Sequence, residues 1–529
     1  MARVKSPLAK KADAPAFDLK AHKKRAAKAW SDRTLWQKFY DDAYEFAIPF
    51  RRPASREGKA VNKIERLFDA TAIESSFRAA GQLHSDLFPP DFFKLAPGAI
   101  SKLAMSADDL TALKRQLQAI SEVVNAFFQT GEFDTSTSEM CIDLLVGTGS
   151  LFPVEGDDET PVRFVCVPFD ELAIIVDAYG KVVGIFWRSQ LSYRAIHDAF
   201  PDGDYPQAFM DKLKADPEAE VQIDQDFVYD PKRRRWDFVA YLTDSERPIK
   251  TAEYKTQPMA VPRYHRVPGE AYGRGPILLA LPTIKTLNKA VELTLKAAAI
   301  QMLGIYGYRP GGAFNPDTAR LAPGEFWPMQ ATGGVLGPDV VRMDAGGGKV
   351  DLGNLVTQEL RLQVQSMLGD DRLPEKGATP VSATEIMARM KRISQNYMGA
   401  WARIVNEVHP VIVRRVIEIL ARKQVKGVPD INIDTLLVKL DVLSPITQAI
   451  KAAAHSRIVD FIQLCVAVKG TPMAAELIVK VDDALQAIAE DQIPANLVVS
   501  PTERKELEKK FAAAAAQIAA AQSQQQRAA

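Results

Sequence analysis

Residues 304–349 hold eleven of the chain's 30 glycines and five of its 33 prolines. Glycine adds backbone freedom and proline removes an N–H, so this density rules out a long helix and predicts short strands joined by turns. The flanking segments have the opposite character. Residues 281–303, LPTIKTLNKAVELTLKAAAIQML, are rich in alanine, leucine and lysine and predict a helix of about six turns. In residues 350–368, Leu352, Leu355, Val356, Leu360, Leu362, Val364 and Met367 recur at helical spacing and predict a second. Two helices bracketing a glycine-rich insertion are therefore fixed features of any fold for this chain.

At 529 residues the chain is long enough for several cores, since domains usually run to roughly 100–200 residues. Its first quarter reads as helical. Leu35, Trp36, Phe39, Tyr40, Ala43, Tyr44 and Ala47 mark a helix over 31–47, with Ser31 and Asp32 as caps, and further helices are expected over 64–87 and 106–128. Between 162 and 266 the pattern turns to short β-branched and aromatic runs. Hairpins are expected around 177–181 and around 230–233, the latter pairing 225–229 with 236–242. Further on, Ser382 and Glu385 form a capping box that opens a long helical stretch to about 423, with a kink or break expected at Pro410. Ser500 and Glu503 repeat that signature before an alanine- and glutamine-rich terminal helix.

The chemistry-bearing motifs are sparse. Lys plus Arg total 67 against 66 Asp plus Glu, so no global field marks a polyanionic partner. Cys141, Cys166 and Cys465 are odd in number and far apart, which fits a reducing compartment and gives neither a disulfide framework nor a cysteine zinc site. No run of about 18 apolar residues and no secretory signal appears, so a cytosolic protein without a membrane span is expected. The six histidines show no metal-ligand spacing. Gly346-Gly347-Gly348-Lys349 ends like a phosphate-binding loop, but Val350 stands where a hydroxyl must hold magnesium and Met343 where the first glycine belongs. Residues 268–276, PGEAYGRGP, lack the G-x-G-x-x-G order of a dinucleotide loop and read as a flexible turn into a helix. No catalytic residue, metal or cofactor is expected. Residues 1–28 carry nine Lys or Arg against Asp13 and Asp18, read either as an arm for nucleic acid or an acidic protein, or as a solvated tail.

This order of elements resembles the portal, or head-to-tail connector, proteins of tailed bacteriophages, particularly those of T7-like short-tailed phages. The matching residues are Phe46-Ala47-Ile48-Pro49, the 83–93 segment with Leu87-Phe88-Pro89, Gly149-Ser150-Leu151-Phe152, Gly269-Glu270-Ala271-Tyr272-Gly273-Arg274 and Val381-Ser382-Ala383-Thr384-Glu385-Ile386. The resemblance implies a mainly α fold with α+β portions, the portal fold of wing, stem, clip and crown, closed into a ring of generally twelve subunits. It would be a non-enzymatic channel at one capsid vertex for packaging and ejecting double-stranded DNA. Its other implied partners are the terminase large subunit, major capsid and scaffold proteins, and a tail adaptor, in the virion and, during assembly, in host cytoplasm. Another structural pore or tail-adaptor subunit, or an enzyme of unfamiliar class, are the alternatives.

Mapped by resemblance, residues 1–29 are a basic flexible arm, 30–276 the wing, 277–303 the first stem helix and 304–349 the clip. Residues 350–368 are then the second stem helix, 369–381 the tunnel loop, 382–439 a long wing helix region and 440–529 the crown. Lys285, Lys289 and Lys296, at spacings of four and seven, share a helix face and are candidate contacts to DNA phosphates; a solvated or intersubunit face is the alternative. Glu375 and Lys376 are similar candidates in the tunnel loop. Phe326 and Trp327 are candidates for docking at the clip or for packing within it. Gly269, Gly273, Arg274 and Gly275 would form the join between wing and stem.

Overall fold

Small and apolar residues at spacings of three and four start the first helix earlier than the sequence suggests. In a computed structural model, α1 runs Leu19–Ala47, with Leu19, His22, Ala26, Ala29 and Arg33 buried along one face. Ala26 and Ala29 pack on Ala173, Phe186 and Val228, and Leu19 on Val239 and Tyr241. Residues 19–29 are thus a docked helix and not part of a flexible arm. Of the lysines that disguise this segment, Lys20, Lys24 and Lys28 are exposed, while the Lys23 ammonium donates to the carbonyls of Thr243 and Ser245.

The structure describes residues 19–51, 66–129, 132–243, 245–303, 305–308, 340–343, 348–370, 383–429, 437–443, 445–469, 481, 484–485, 488–489, 499, 503–504 and 506–514. After α1 come α2 (Thr71–Leu87), β1 (Phe93–Pro97), α3 (Ala99–Ala104), α4 (Ala107–Gln129), α5 (Phe133–Val146), β2 (Phe152–Glu155), β3 (Val162–Val165), β4 (Leu172–Val176) and β5 (Val182–Ser192). Then follow α6 (Tyr193–Ala199), α7 (Gln207–Ala215), β6 (Glu220–Asp230), β7 (Arg235–Leu242), β8 (Lys250–Tyr254), β9 (His265–Arg266), β10 (Gly273–Arg274) and α8 (Pro276–Leu303). The chain continues through β11 (Ile305–Tyr308), β12 (Val340–Met343), α9 (Gly348–Leu368), α10 (Ala383–Arg422), β13 (Val438–Val442) and α11 (Pro445–Lys469). It divides into two compact units, the first Met1–Gln37, Ala80–Gly275 and Val381–Ala529, the second Lys38–Ala79 and Pro276–Pro380.

In the first unit β4 to β8 form an antiparallel sheet in sequential order. Its β4–β5 turn is set by Asp177, whose carboxylate accepts the backbone N–H groups of Tyr179 and Lys181. The helices meet in an aromatic core of Phe88, Phe92, Phe128, Phe133 and Phe164, with ring centroids 4.8 to 5.7 Å apart. His409 of α10 closes this core. Burial lowers its pKa to about 4, so the ring is neutral and carries one N–H, which the 2.9 Å contact from Nε2 to the Leu87 carbonyl accommodates. Helix α10 continues through Pro410 for 40 residues, about 60 Å.

In the second unit α8 packs against α9. Ile277, Ala280, Ile284, Leu287 and Val291 line the buried stripe of α8, while Thr357, Val364 and Leu368 are buried on α9. Gly353 permits the close approach, since a Cβ there would lie 2.9 Å from the Thr294 hydroxyl. Helix α8 starts five residues before the sequence reading, with Pro276 in its first position and Pro282 retained inside. Helix α2 starts at Thr71 and not at 64, because the Asp69 side chain accepts the Thr71 N–H and the preceding N–H groups are engaged elsewhere.

Candidate functional site

The lysine face of α8 is built on the side away from its buried stripe, and each ammonium has an acidic partner. Lys285 Nζ lies 2.6 Å from Asp42 Oδ2 on α1, and 5.4 Å from the Phe46 ring centroid. Lys289 and Lys296 both reach Glu292, at 2.8 and 2.6 Å. Hydrogen bonds from these two lysines hold the Glu292 carboxyl below its ordinary range. The stripe is therefore a surface of alternating sign. Exposed pairs of this kind add little stability, but they reduce the positive field a polyanion would meet.

A second set of polar contacts holds segment 66–78 to both helices. Buried Asn288 on α8 accepts the Phe68 and Asp69 N–H groups at 2.7 and 3.3 Å and donates to the Arg66 carbonyl at 2.9 Å. Arg361 on α9 pairs with Asp69 at 2.8 Å, where the carboxylate is only 4% exposed. At the end of α9, Asp370 accepts from the Ser75 hydroxyl at 2.9 Å and faces Arg78 at 3.6 Å. Gly369, in the left-handed region at φ +75°, turns the chain so that Asp370 can reach α2.

Residues 268–276 belong to a different kind of assembly. The Gly275 N–H donates to the Val146 carbonyl at 2.8 Å, Gly273 N–H to the Thr148 hydroxyl at 2.9 Å, and Tyr264 N–H to the Gly147 carbonyl at 2.9 Å. The bonds to the Val146 and Gly147 carbonyls satisfy acceptors that α5 leaves open at its C-terminus. A Cβ on Gly273 would stand 2.1 Å from the Gly147 oxygen, and one on Gly275 2.0 Å from the Leu145 oxygen. The expectation of flexibility fails at both positions, because glycine is required there for close backbone approach. Gly269 differs, with φ +87° and open space around it. Arg274 pairs with Glu270 through two hydrogen bonds, at 3.1 and 2.6 Å, and lies 5.6 Å from the Trp36 ring centroid.

The chain matches the model of the bacteriophage head to tail connecting protein family over residues 19–496. It belongs to that family. No curated protein matches by sequence. Among solved structures, a chain in the virion of a native gene transfer agent particle is similar, at 12% identity and TM-score 0.31, over 76% of this chain and 89% of that one. Another, from the neck of an empty gene transfer agent particle, gives 12% identity and TM-score 0.33 over 77% and 89%. The connector family accounts for the mixed, helix-rich architecture, and its role is a structural one.

Several of the connector's sequence-level candidates lie outside the described residues: Phe326, Trp327, Glu375, Lys376, Ser382 and Ser500, along with the side chain of Glu385. Glu503 pairs with Arg115 of α4 at 3.2 Å. Among the described residues no group of His, Cys, Asp or Glu is arranged to hold a metal, and no helix is long and apolar enough to cross a membrane. Sequence reasoning missed Asp42, Asn288 and Arg361. Asn288 alone carried a signal, as a polar residue within the apolar stripe of α8. Spacing placed Leu355 and Leu362 on α9 without showing that they, like Leu279 and Leu293 of α8, face outward; all four are more than half exposed.

Proposed function

We propose that this connector assembles as a closed ring whose α8 and α9 line or support a channel for double-stranded DNA. The observation that carries the reading is the pair of apolar faces on this two-helix unit. Leu279 and Leu293 are 14 residues apart and share one face of α8, while Leu355 and Leu362 are seven apart and share one face of α9. A ring needs two different surfaces on each subunit that meet head to tail and close. Burying each leucine would contribute about 2 kcal/mol per subunit contact.

In this reading α8 and α9 are the stem, β11 and β12 begin and end the clip, the sheet-bearing region is wing, and residues from about 440 form the crown. The ring, in a T7-like arrangement, would stand at one capsid vertex after assembly in host cytoplasm. It would dock the terminase large subunit during packaging, capsid and scaffold proteins during procapsid assembly, and a tail adaptor afterwards. The paired lysines suit a conduit. A cation already neutralised by Glu292 or Asp42 releases fewer counterions on meeting phosphate, so a duplex would slide with little retention.

Imaging and sizing the purified protein tests the ring. Wild type should give closed rings, and Leu355→Asp with Leu362→Asp should give folded subunits without them; a wild-type chain that stays monomeric at all concentrations would reject the reading. The channel role has a separate test. Lys285→Glu, Lys289→Glu and Lys296→Glu together should leave rings intact and lower packaged DNA yield several-fold, and an unchanged yield would remove these lysines from the DNA path.

A further inference from the structure

The turn between β6 and β7, Pro231-Lys232-Arg233-Arg234, followed by Arg235, concentrates four consecutive cations on an exposed hairpin tip. They have two different fates. Arg233 is held by three carboxylates, Asp230 at 2.8 Å, Asp237 at 2.6 Å and Glu253 at 2.6 Å, and Arg235 shares Glu253 at 2.9 Å. This network fixes the tip across three strands. Lys232 and Arg234 form no ion pair among the described residues, and both are exposed. Arg234 also adopts φ +54°, a left-handed conformation that costs a non-glycine residue about 1 kcal/mol. The chain therefore holds two cations outward on a braced, locally strained turn.

The same unit carries a complementary tip. Between β2 and β3, Glu155 is engaged by Arg422, and Lys423 donates to the carbonyls of Gly156 and Asp157 at 2.6 and 2.8 Å. The Asp157 carboxylate is bound to Thr160, by its N–H and its hydroxyl. Asp158 and Glu159 are exposed and form no ion pair among the described residues. In each hairpin a charge network braces the tip and leaves two like charges facing outward.

We propose that Lys232 and Arg234 of one subunit pair with Asp158 and Glu159 of a second copy of this chain, as an electrostatic contact between adjacent subunits. The proposal rests on the ring reading. It commits to a second copy because the two tips match in charge number and opposite sign. A continuous phosphate backbone fits the basic tip less well, since Asp230, Asp237 and Glu253 flank the two free cations. The two tips are different surfaces, so their contact is heterologous, as a closing ring requires.

The test uses two full-length variants, alone and mixed. One carries Lys232→Glu and Arg234→Glu, making both tips acidic; the other carries Asp158→Lys and Glu159→Lys, making both basic. Each alone should dissociate at a subunit concentration at least about tenfold above wild type at low salt, where charges are least screened. An equal mixture should recover most of that loss, because acidic tips of one variant now meet basic tips of the other. Thermal melts of each variant verify folding. If either variant alone assembles as wild type does, or if the mixture is no tighter than its components, the contact is wrong while the ring reading stands. If wild type does not oligomerise, both fail. If the acidic variant assembles normally and loses only binding to a DNA duplex, the tip serves nucleic acid and the proposal is overturned.

Discussion

Replacing Gly275 with alanine is expected to destabilise the first unit by about 3 kcal/mol, the upper end of the range for forcing extra volume into packed structure. The added Cβ would lie 2.0 Å from the Leu145 oxygen and 2.5 Å from its carbonyl carbon, both backbone atoms in the last turn of α5. A flexible side chain can rotate away from such a clash; a helical carbonyl cannot move without breaking the turn that holds it. Separation would also break the bond from Gly275 N–H to the Val146 carbonyl and so leave that helix end unsatisfied. Gly269→Ala is the control, since its neighbourhood is open and only the cost of φ +87° applies, about 1 kcal/mol. Denaturant midpoints measure both. Equal losses at the two positions would mean that the close approach at Gly275 is not what the residue serves.

The contrast between these glycines shows what a sequence discloses. Clustered glycines in PGEAYGRGP announce an unusual backbone, but flexible and tightly packed glycines look alike until the opposing chain is known. Here that chain is α5, whose residues are buried on nearly all sides and so lack the periodicity that reveals a helix. The β4–β5 and β6–β7 hairpins were legible because Asp177 and Pro231 act within a few residues. The start of α2 was not, because the N–H of Phe68 is taken by Asn288, 220 residues away. The lysine face of α8 was visible in spacing alone. Its neutralisation was only half visible: Glu292 sits within one turn of two lysines, whereas Asp42 is 243 residues from Lys285. Helix α1 was shortened in the reading because charge between 20 and 28 masked the recurrence of Ala26 and Ala29.

Glu407→Ala should cost about 3 kcal/mol, because it strands a buried cation. The Arg263 guanidinium is 2% exposed, and its Nη2 lies 2.6 Å from Glu407 Oε1. The same nitrogen also donates to the Gly180 carbonyl at 2.9 Å, and the Arg263 backbone N–H donates to Glu407 Oε2 at 2.9 Å. This one side chain therefore joins α10, the β4–β5 turn and the strand approaching residues 268–276. After Glu407→Ala, neutral carbonyls remain and no charge opposes the guanidinium. Glu407→Gln should fall between wild type and alanine, since it keeps an acceptor and loses the charge. Arg263→Met combined with Glu407→Leu should be far milder than Glu407→Ala, because a buried pair exchanged for apolar residues of similar volume loses the desolvation cost together with the attraction. Denaturant unfolding of all four proteins separates these terms. A cost below about 1 kcal/mol for Glu407→Ala would mean that the carbonyls of Gly180 and Ala271, at 2.9 and 3.5 Å, suffice for Arg263. A double variant as unstable as the single one would mean that the hydrogen bond from the Arg263 backbone N–H to Glu407, lost in both, and not charge compensation, is what holds α10 to this part of the chain.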